Sequence, residues 1–357
     1  MRSHRVLIMG ASYGSLLGAK LALAGHHVNL VCLPAEVEAF NRDGARVRLP
    51  VRGRDGLVEI DSRRASGSLK AEGPATIDPA GYDLVGLAMQ EPQYRSPGVR
   101  ELLARVGEAR VPCMSIMNMP PLTYLRRIRG LDVDACRGAY ADPAVWDPLD
   151  PALLTLCSPD AQAFRPPEEP VNVLQVRLPT NFKAARFAGD AHTLMLRELE
   201  ASIDAIRFDP GDGSRIELPV KLRVHESIFV PLAKWAMLMA GNYRCITRAG
   251  MRPIRDAVHG DLAASRAMYD WVVDVCTTLG AAASDLVPFE KYAAAANGLL
   301  SPSSAARALY GGAANIERVD RLVQAVAAQQ GKRSPVLDEI VELVDAQLER
   351  NRAAASA

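Results

Sequence analysis

The segment RVLIMGASYGSLLGAKLALAGHHVNLVC, residues 5–32, decides the fold class. It begins with the short apolar run Arg5–Met9, turns at Gly10, and continues as an Ala- and Leu-rich stretch that ends before Gly25. A second apolar run follows at His27–Cys32. Because parallel strands are joined by a helical crossover, this pattern predicts a βαβ unit of about thirty residues.

The alternation of apolar runs and helical spacing continues beyond this unit. Further strands are predicted at Arg46–Leu49, Leu57–Ile60, Asp83–Ala88 and Val111–Ile116, and helices at Ala35–Arg42 and Val99–Val106. Strands that alternate with helices are typical of a doubly wound parallel sheet. The chain is therefore predicted to be α/β, with an N-terminal Rossmann-type parallel sheet and a mostly α-helical C-terminal domain.

Two domains are predicted, because 357 residues exceed the usual size of one. A Rossmann-type dinucleotide-binding domain is expected at residues 1–205, and it includes a divergent, proline-containing segment at 119–179. A helical substrate and dimerisation domain is expected at residues 222–350. Within it, helical spacing predicts helices at Phe229–Ala240, Leu262–Leu279, Val319–Ala327 and Val336–Leu348. The tail from Arg350 to Ala357 is expected to fray.

Composition excludes several classes of partner. Forty-two basic residues against forty-one acidic ones give a net charge of +1, which removes the electrostatic case for nucleic-acid or anionic-membrane binding. No apolar run reaches the roughly 18 residues that a membrane helix needs. Six cysteines without a C-x-x-C pair indicate reduced thiols in a cytoplasm and no metal site. A small-molecule substrate is the expected partner.

The glycine turn after the first strand is the candidate cofactor site. A diphosphate binds at a helix N-terminus because unpaired N–H groups converge there, and glycines let the backbone come close. The candidate cofactor-binding residues are Gly10, Ala11, Ser12, Tyr13, Gly14 and Ser15. The usual G-x-G-x-x-G spacing would place glycine at Ser12 and Ser15, whose hydroxyl groups could still donate to phosphate. An ordinary strand–helix turn is the alternative interpretation.

The end of the second strand carries no side chain that would select the cofactor. An acid there accepts from the ribose hydroxyl of NAD, and an Arg pairs with the 2′-phosphate of NADP. The sequence instead has Cys32-Leu33-Pro34. Glu36 and Arg42 follow on the next helix, where they are interpreted as solvated residues.

A single lysine interrupts the apolar stretch Val230–Asn242. An unpaired ammonium is expensive to bury, so Lys234 either reaches water at the rim of the helix packing or is held in a site that uses its charge. Pro231 suits the first turn of a helix, which would put Lys234 near the helix start. A lysine suits proton donation to a carbonyl group, whereas an arginine cannot give up its proton.

Four features, two in each half of the chain, point to one family. They are the helix Gly14–Gly25, the strand Met114–Ile116 with Asn118 after it, Lys234 eight residues before Asn242, and the pair Ser303-Ser304. In these features the chain resembles the ketopantoate reductase (2-dehydropantoate 2-reductase) family. The resemblance implies an NADP(H)-dependent reductase that transfers a hydride to a 2-keto acid or related substrate. It also implies a cytoplasmic homodimer with a helical domain like the C-terminal domain of 6-phosphogluconate dehydrogenase.

The resemblance further implies a role for each site residue. Lys234 would be the general acid, Asn118 and Gln90 would contact the cofactor, and the substrate would be bound by Asn242, Ser304 and Glu317. Counting back from Gly331 puts Asn315 at the glutamate position instead. Where the family has two cations near the 2′-phosphate, this chain has Leu33 and Gln90, which leaves NAD(H) open as the cofactor.

Two other functions remain as alternatives to the reductase. One is a non-catalytic or repurposed protein that binds a nucleotide or metabolite on the same fold. The other is an opine-type dehydrogenase, which reduces an imine of an amino acid.

Overall fold

The computed structural model describes residues 2–159 and 162–356. The chain packs as two compact units. The first comprises Met1–Met89, Gln93–Tyr124 and Val145–Ile228, and the second comprises Gln90–Pro92, Leu125–Ala144 and Phe229–Ala357. These units differ from the predicted ranges 1–205 and 222–350 mainly at residues 125–144. That part of the divergent segment packs with the second unit, where Asp132 and Gln329 exchange hydrogen bonds of 2.9 and 3.0 Å.

The strands of the first unit are β1 (Arg5–Met9), β2 (His27–Val31), β3 (Arg46–Pro50), β4 (Leu57–Asp61), β5 (Ser68–Glu72), β6 (Leu84–Leu87), β7 (Cys113–Ile116), β8 (Leu154–Pro159), β9 (Gln162–Phe164), β10 (Val173–Leu178), β11 (Phe182–Ala185) and β12 (Leu222–His225). Its helices are α1 (Tyr13–Leu23), α2 (Pro34–Asp43), α3 (Val99–Glu108) and α5 (Asp190–Asp204). A short helix, α4 (Leu122–Leu125), lies where the chain passes to the second unit.

Within the described residues, the main sheet has eight strands in the order β12-β11-β8-β7-β6-β1-β2-β5. The six strands from β8 to β5 are parallel and have the order of a Rossmann sheet, with β1 in the middle. Buried residues such as Leu7 and Ile8 make β1 hydrophobic on both faces, as expected for a parallel strand covered by helices. The predicted fold class is confirmed.

The first unit also contains a second, smaller sheet, which is separate from the main one. In the described chain it has four strands in the order β4-β3-β10-β9. Strands β3 and β4 form an antiparallel hairpin. On its other side β3 pairs in parallel with β10, which lies more than a hundred residues later in the chain. Strand β9 completes the sheet antiparallel to β10, with Phe164 opposite Gln175. This sheet brings the segment after β9 back to the neighbourhood of α2.

The second unit is mostly helical, as predicted. Its main helices are α6 (Lys234–Met237), α7 (Ile254–His259), α8 (Leu262–Thr278), α9 (Phe289–Ala296), α10 (Ser304–Tyr310), α11 (Val319–Gln329) and α12 (Pro335–Ser356), with a small hairpin of β13 (Ile246–Thr247) and β14 (Gly250–Met251). The expectation of a frayed tail is wrong for the described part, because α12 continues to Ser356. Asn351 is buried there, and its amide donates to Leu309 and Ala313 carbonyls at 2.7 and 2.8 Å. Ala357 lies outside the described residues.

A lysine side chain is buried in the core of the first unit. Lys20 of α1 is 1% exposed. Burial lowers the pKa of its ammonium group from 10.5 to about 7; Lys221 lowers it further, and Asp204 opposes the shift. A buried amine with this pKa destabilises the folded state wherever the unfolded chain would keep the proton.

Lys20 should therefore make the stability of the fold depend on pH. Between about pH 7 and pH 10.5 the unfolded chain binds more protons than the folded chain, so the free energy of unfolding rises with pH in this window. This one group contributes up to roughly 1.4 kcal/mol per pH unit. We expect denaturant titrations from neutral to mildly alkaline pH to show a steeper rise for the wild type than for Lys20→Met.

The matched control is Lys291→Met, which removes an exposed lysine of α9. It should keep the wild-type slope. Identical slopes in the wild type and in Lys20→Met would show that the amine does not titrate in this range.

Candidate functional site

The turn between β1 and α1 depends on glycine at position 10. Gly10 has φ +107°, and a Cβ atom there would lie 2.6 Å from Met89 Cγ and 2.7 Å from the Ala88 carbonyl oxygen. Both distances are shorter than van der Waals contact permits. Residue 10 must therefore be glycine for the ends of β1 and β6 to approach this closely.

Two backbone hydrogen bonds fix the same turn in the sheet. The Gly10 N–H donates to the Val31 carbonyl at 2.9 Å, and the Ala88 N–H donates to the Met9 carbonyl at 2.8 Å. The turn thus lies at the carboxyl ends of β2, β1 and β6, where the strand order reverses direction. In open α/β sheets this crevice is the usual ligand-binding position.

The start of α1 has the features that a diphosphate needs. A Cβ on Gly14 would lie 2.7 Å from Ile8 Cγ2, so the helix packs closely on β1. Ser12 is the N-cap residue, and its side chain does not cap the helix. The positive end of a helix dipole attracts anions at such a helix start, and here the Ser15 N–H donates to the Ser12 carbonyl at 3.1 Å. Ser15 is buried, and its hydroxyl donates to the Ser12 carbonyl at 2.9 Å, where it stabilises the turn.

Asn118 lies just beyond β7 at the same edge of the sheet. Its Oδ1 atom is buried and has no hydrogen-bond partner among residues 2–159 and 162–356. A buried acceptor without a donor costs free energy, and such groups in native structures usually await a ligand or water. An amide-bearing ring, such as nicotinamide, offers the N–H donor that would satisfy this oxygen.

The interpretation of Glu36 as a solvated helix residue is wrong. Its side chain is 13% exposed and forms an ion pair with Arg165, and it also accepts from the Leu33 N–H at 2.9 Å. Arg42, by contrast, is exposed and pairs with its neighbour Asp43. The partner of Glu36 comes from the segment after β9, 129 positions away, so no local pattern could reveal it.

In the second unit, Lys234 is the first residue of α6, which confirms its expected place near a helix start. A 3-10 turn at Val230–Ala233, with Pro231 in it, leads into the helix. Lys234 is half-buried, while the adjacent Trp235 and Ala236 are buried. Lys234 is therefore only partly enclosed, whereas its neighbours along the helix belong to the core.

The helix changes to a π-helix at Leu238–Asn242. The Tyr292 hydroxyl donates to the Met237 carbonyl at 3.1 Å, and a Cβ on Gly241 would lie 1.9 Å from the Tyr292 hydroxyl oxygen. A side chain that inserts beside the backbone ladder is a known cause of a helix bulge. Because one turn is wider, an ideal α-helix does not give the direction of Asn242 relative to Lys234.

Hydrogen bonds bring three of the predicted substrate-binding regions together. The Ser303 hydroxyl donates to the Asn242 carbonyl at 2.7 Å. The next residue, Tyr243, donates from its hydroxyl to the Glu317 carbonyl, and the same oxygen accepts from the Val319 N–H at 3.1 Å. Asn242, the serine pair and Glu317 are therefore neighbours in the fold.

Within the serine pair, the two residues have different surroundings. Ser303 is buried and is the N-cap of α10, where it accepts from the Ala306 N–H at 3.1 Å. Ser304 is exposed. Ser303 therefore holds the helix in place, and Ser304 is the member whose side chain can reach a ligand. A serine followed by a helical pattern is the N-cap signal that could have revealed this difference.

The carboxylate of Glu317 contacts the segment that follows β6. It accepts from the Glu91 N–H at 3.3 Å, and Glu91 itself is 1% exposed and accepts from the Ala141 N–H at 3.2 Å. Asn315, the other candidate for this position, accepts from Arg352 at 3.4 Å. Gln90 is exposed beside Glu91 in the second unit. Glu91 was missed by sequence reasoning because nothing local marks its burial.

The chain is similar to known proteins in its fold. No protein-family model matches the sequence, and no curated protein matches it. Solved structures do match. The 2-dehydropantoate 2-reductase from Methylococcus capsulatus superposes with a TM-score of 0.64 at 13% identity, over 97% of each chain. The chain therefore has the ketopantoate reductase fold. This confirms the resemblance found in the sequence, at the level of the fold.

Two further structures show the same fold. D-mandelate dehydrogenase, solved with NADH and anilino(oxo)acetate, gives a TM-score of 0.63 at 13% identity, over 98% of this chain and 99% of that one. A dimeric ketopantoate reductase from Staphylococcus aureus gives a TM-score of 0.58 at 10% identity, over 97% and 99%. Identities this low establish the architecture alone.

Two features are absent from residues 2–159 and 162–356. No helix among them combines the length and apolar character needed to cross a membrane. No group of three or more His, Cys, Asp or Glu side chains among them is arranged to hold a metal ion.

The steric role of Gly10 can be tested by comparison with Gly53. Both residues have positive φ, but a Cβ at Gly53 would have no atom within 4 Å. Replacement by alanine strains the backbone at both positions, and only Gly10→Ala adds a clash. We expect Gly10→Ala to lower the free energy of unfolding by roughly 1–3 kcal/mol more than Gly53→Ala, measured in urea. If both variants lost the same free energy of unfolding, the contact of the new side chain with Ala88 and Met89 would be shown to relax without cost.

Proposed function

We propose that this protein is a cytoplasmic oxidoreductase that uses a nicotinamide cofactor to reduce the carbonyl group of a 2-keto acid or a related small molecule. The observation that carries the proposal is the Gly10 turn at the point where the strand order of a Rossmann sheet reverses. Support comes from structures of the same fold, among them a 2-dehydropantoate 2-reductase and an NADH complex of D-mandelate dehydrogenase.

In this proposal residues 1–205 hold the cofactor, which supplies a hydride when bound. The turn at residues 10–15 binds the diphosphate at the start of α1, where the helix dipole attracts an anion and the glycines at positions 10 and 14 let the backbone pack closely on the ends of β6 and β1. Asn118 accepts a hydrogen bond from the carboxamide of the nicotinamide through its unsatisfied Oδ1. Gln90 contacts the cofactor from the segment after β6.

Residues 222–350 supply the proton and hold the substrate. Lys234 carries the proton on its ammonium group and donates it to the carbonyl oxygen as negative charge develops there. Asn242, Ser304 and Glu317 bind the polar groups of the substrate. Glu317 acts through a carboxylate that the Glu91 N–H orients, and Asn242 acts from the π-helical turn.

Substitution of Lys234 tests the general acid. We expect Lys234→Met to lower kcat by roughly 100- to 10,000-fold on the best 2-keto acid of a panel, with calorimetric cofactor affinity within about twofold of the wild type. Lys234→Arg should lose as much activity as Lys234→Met, because a guanidinium group keeps its charge and cannot release a proton. Lys291→Met is the surface control and should retain full activity.

The outcomes separate the alternatives. A wild-type protein that binds neither NADH nor NADPH in calorimetry would refute the proposal. Cofactor binding without turnover of any 2-keto acid or imine would indicate a non-catalytic nucleotide-binding protein. Secondary amines among the products would indicate an opine-type dehydrogenase. Full activity in Lys234→Met would refute only the role of the lysine.

We also propose that the protein is a homodimer, by analogy with the dimeric ketopantoate reductase of the same fold. Exposed apolar side chains on the second unit, such as Leu262 and Leu300, offer surface for such a contact. We expect sedimentation equilibrium at micromolar concentration to give twice the chain mass of 38.5 kDa. A single species at the chain mass would contradict the dimer.

A further inference from the structure

The residues at the end of β2 are the ones that would distinguish NADP from NAD, because they lie beside the adenosine ribose of a bound dinucleotide. A nucleotide whose diphosphate lies on the Gly10 turn reaches this position with its ribose 2′ group. The residues that follow β2 directly, Cys32, Leu33 and Pro34, carry no charge. A cation that recognises a 2′-phosphate therefore has to come from elsewhere in the fold.

The structure brings one cation to this position. Arg165 follows β9, whose sheet returns the chain to α2, and its Nη1 atom donates to Glu36 Oε1. Its charge also acts on Cys32: burial raises the pKa of that thiol to about 12, Glu36 raises it further, and Arg165 opposes the shift. Arg165 and Glu36 thus lie beside the first residue after β2.

The pair is held firmly. The other oxygen of Glu36 accepts from the Leu33 N–H at 2.9 Å, so both carboxylate oxygens are occupied. Pro166 restricts the Arg165 backbone to the extended region, and Pro167 fixes the next residue. The guanidinium group is therefore positioned before any ligand arrives, which reduces the entropy lost on binding.

The remaining edge of the guanidinium group has no partner. The Nε and Nη2 atoms of Arg165 are buried and make no hydrogen bond to residues 2–159 or 162–356. These two nitrogens form the fork that binds two oxygens of a phosphate or carboxylate at once. The side chain as a whole is 28% exposed, so it lies near the surface and not in the core. Unpaired buried donors cost free energy, and a phosphate would recover it.

We propose that Arg165 makes the protein prefer NADPH to NADH, by binding the 2′-phosphate of the adenosine ribose with its Nε–Nη2 fork, and that Glu36 positions it. This inference rests on the proposed nicotinamide-dependent function. Arg165 replaces the cations that the chain lacks at Leu33 and Gln90. The Glu36 carboxylate is the ion-pair partner of Arg165 and also accepts from the Leu33 N–H, so its role here is to position the arginine.

The test is calorimetric binding of NADPH and NADH to the wild type and to variants, without substrate. We expect the wild type to bind NADPH more tightly. Arg165→Gln should weaken NADPH binding by roughly tenfold or more, and should change NADH binding by no more than about twofold. Arg165→Lys keeps the charge and loses the fork, so its affinity for NADPH should lie between those of the wild type and Arg165→Gln. The pair 2′,5′-ADP and 5′-AMP should show the same contrast, because only the first carries the 2′-phosphate.

Arg42→Gln is the matched control, since it removes the same charge from the exposed end of α2. It should leave the NADPH preference unchanged. Thermal melting of each variant checks that it is folded, and Arg165→Lys keeps the test valid if Arg165→Gln does not fold.

The possible results distinguish this inference from the proposed function. Binding of neither cofactor to the wild type would refute the proposed function itself. Equal affinities, a preference for NADH, or an equal loss of both affinities in Arg165→Gln would overturn the role of Arg165 while leaving a nicotinamide-dependent reductase intact.

Discussion

The close approach of the Gly10 backbone to Ala88 controls the geometry of the first unit at its ligand-binding edge. Two hydrogen bonds, from Gly10 to Val31 and from Ala88 to Met9, fix β1 in register between its neighbours. After β1 the backbone adopts a positive φ at residue 10, close to Ala88, which only glycine allows without strain. As a result α1 begins at the crevice of the sheet, and the Ser12 side chain does not cap it. An ordinary strand–helix turn needs none of these features together.

Tyrosine hydroxyl groups have a comparable role in the second unit. Tyr292 reaches the backbone at Met237 where the helix widens, and Tyr243 bridges the Glu317 carbonyl and the Val319 N–H. Both side chains are buried, so each hydroxyl must find a polar partner, and the backbone provides it. These contacts hold the backbone of the turn that leads to Asn242 and the backbone at Glu317, although neither tyrosine is itself a candidate for contact with the substrate.

Burial of a polar group has a different consequence at Lys20 than at Asn118 and Arg165. Lys20 is buried at a cost that falls on the stability of the fold, with Asp204 only partly offsetting it. Asn118 and Arg165 keep hydrogen-bonding atoms unused at the carboxyl ends of β7 and β2. Their positions at the edge where a Rossmann sheet binds its ligand distinguish them from Lys20, and this is why we propose a cofactor-binding role for both.

The sequence by itself determined the α/β class, the βαβ unit at 5–32, the helical character of the C-terminal half and the place of Lys234 at a helix start. These features depend on local periodicity and on turn residues, which a single stretch of chain contains. Only the tertiary structure decided that Arg165 meets Glu36, that Glu91 meets Glu317, and that Tyr292 widens the helix before Asn242. Each of these contacts joins residues at least fifty positions apart, and the packing of the whole unit brings them together.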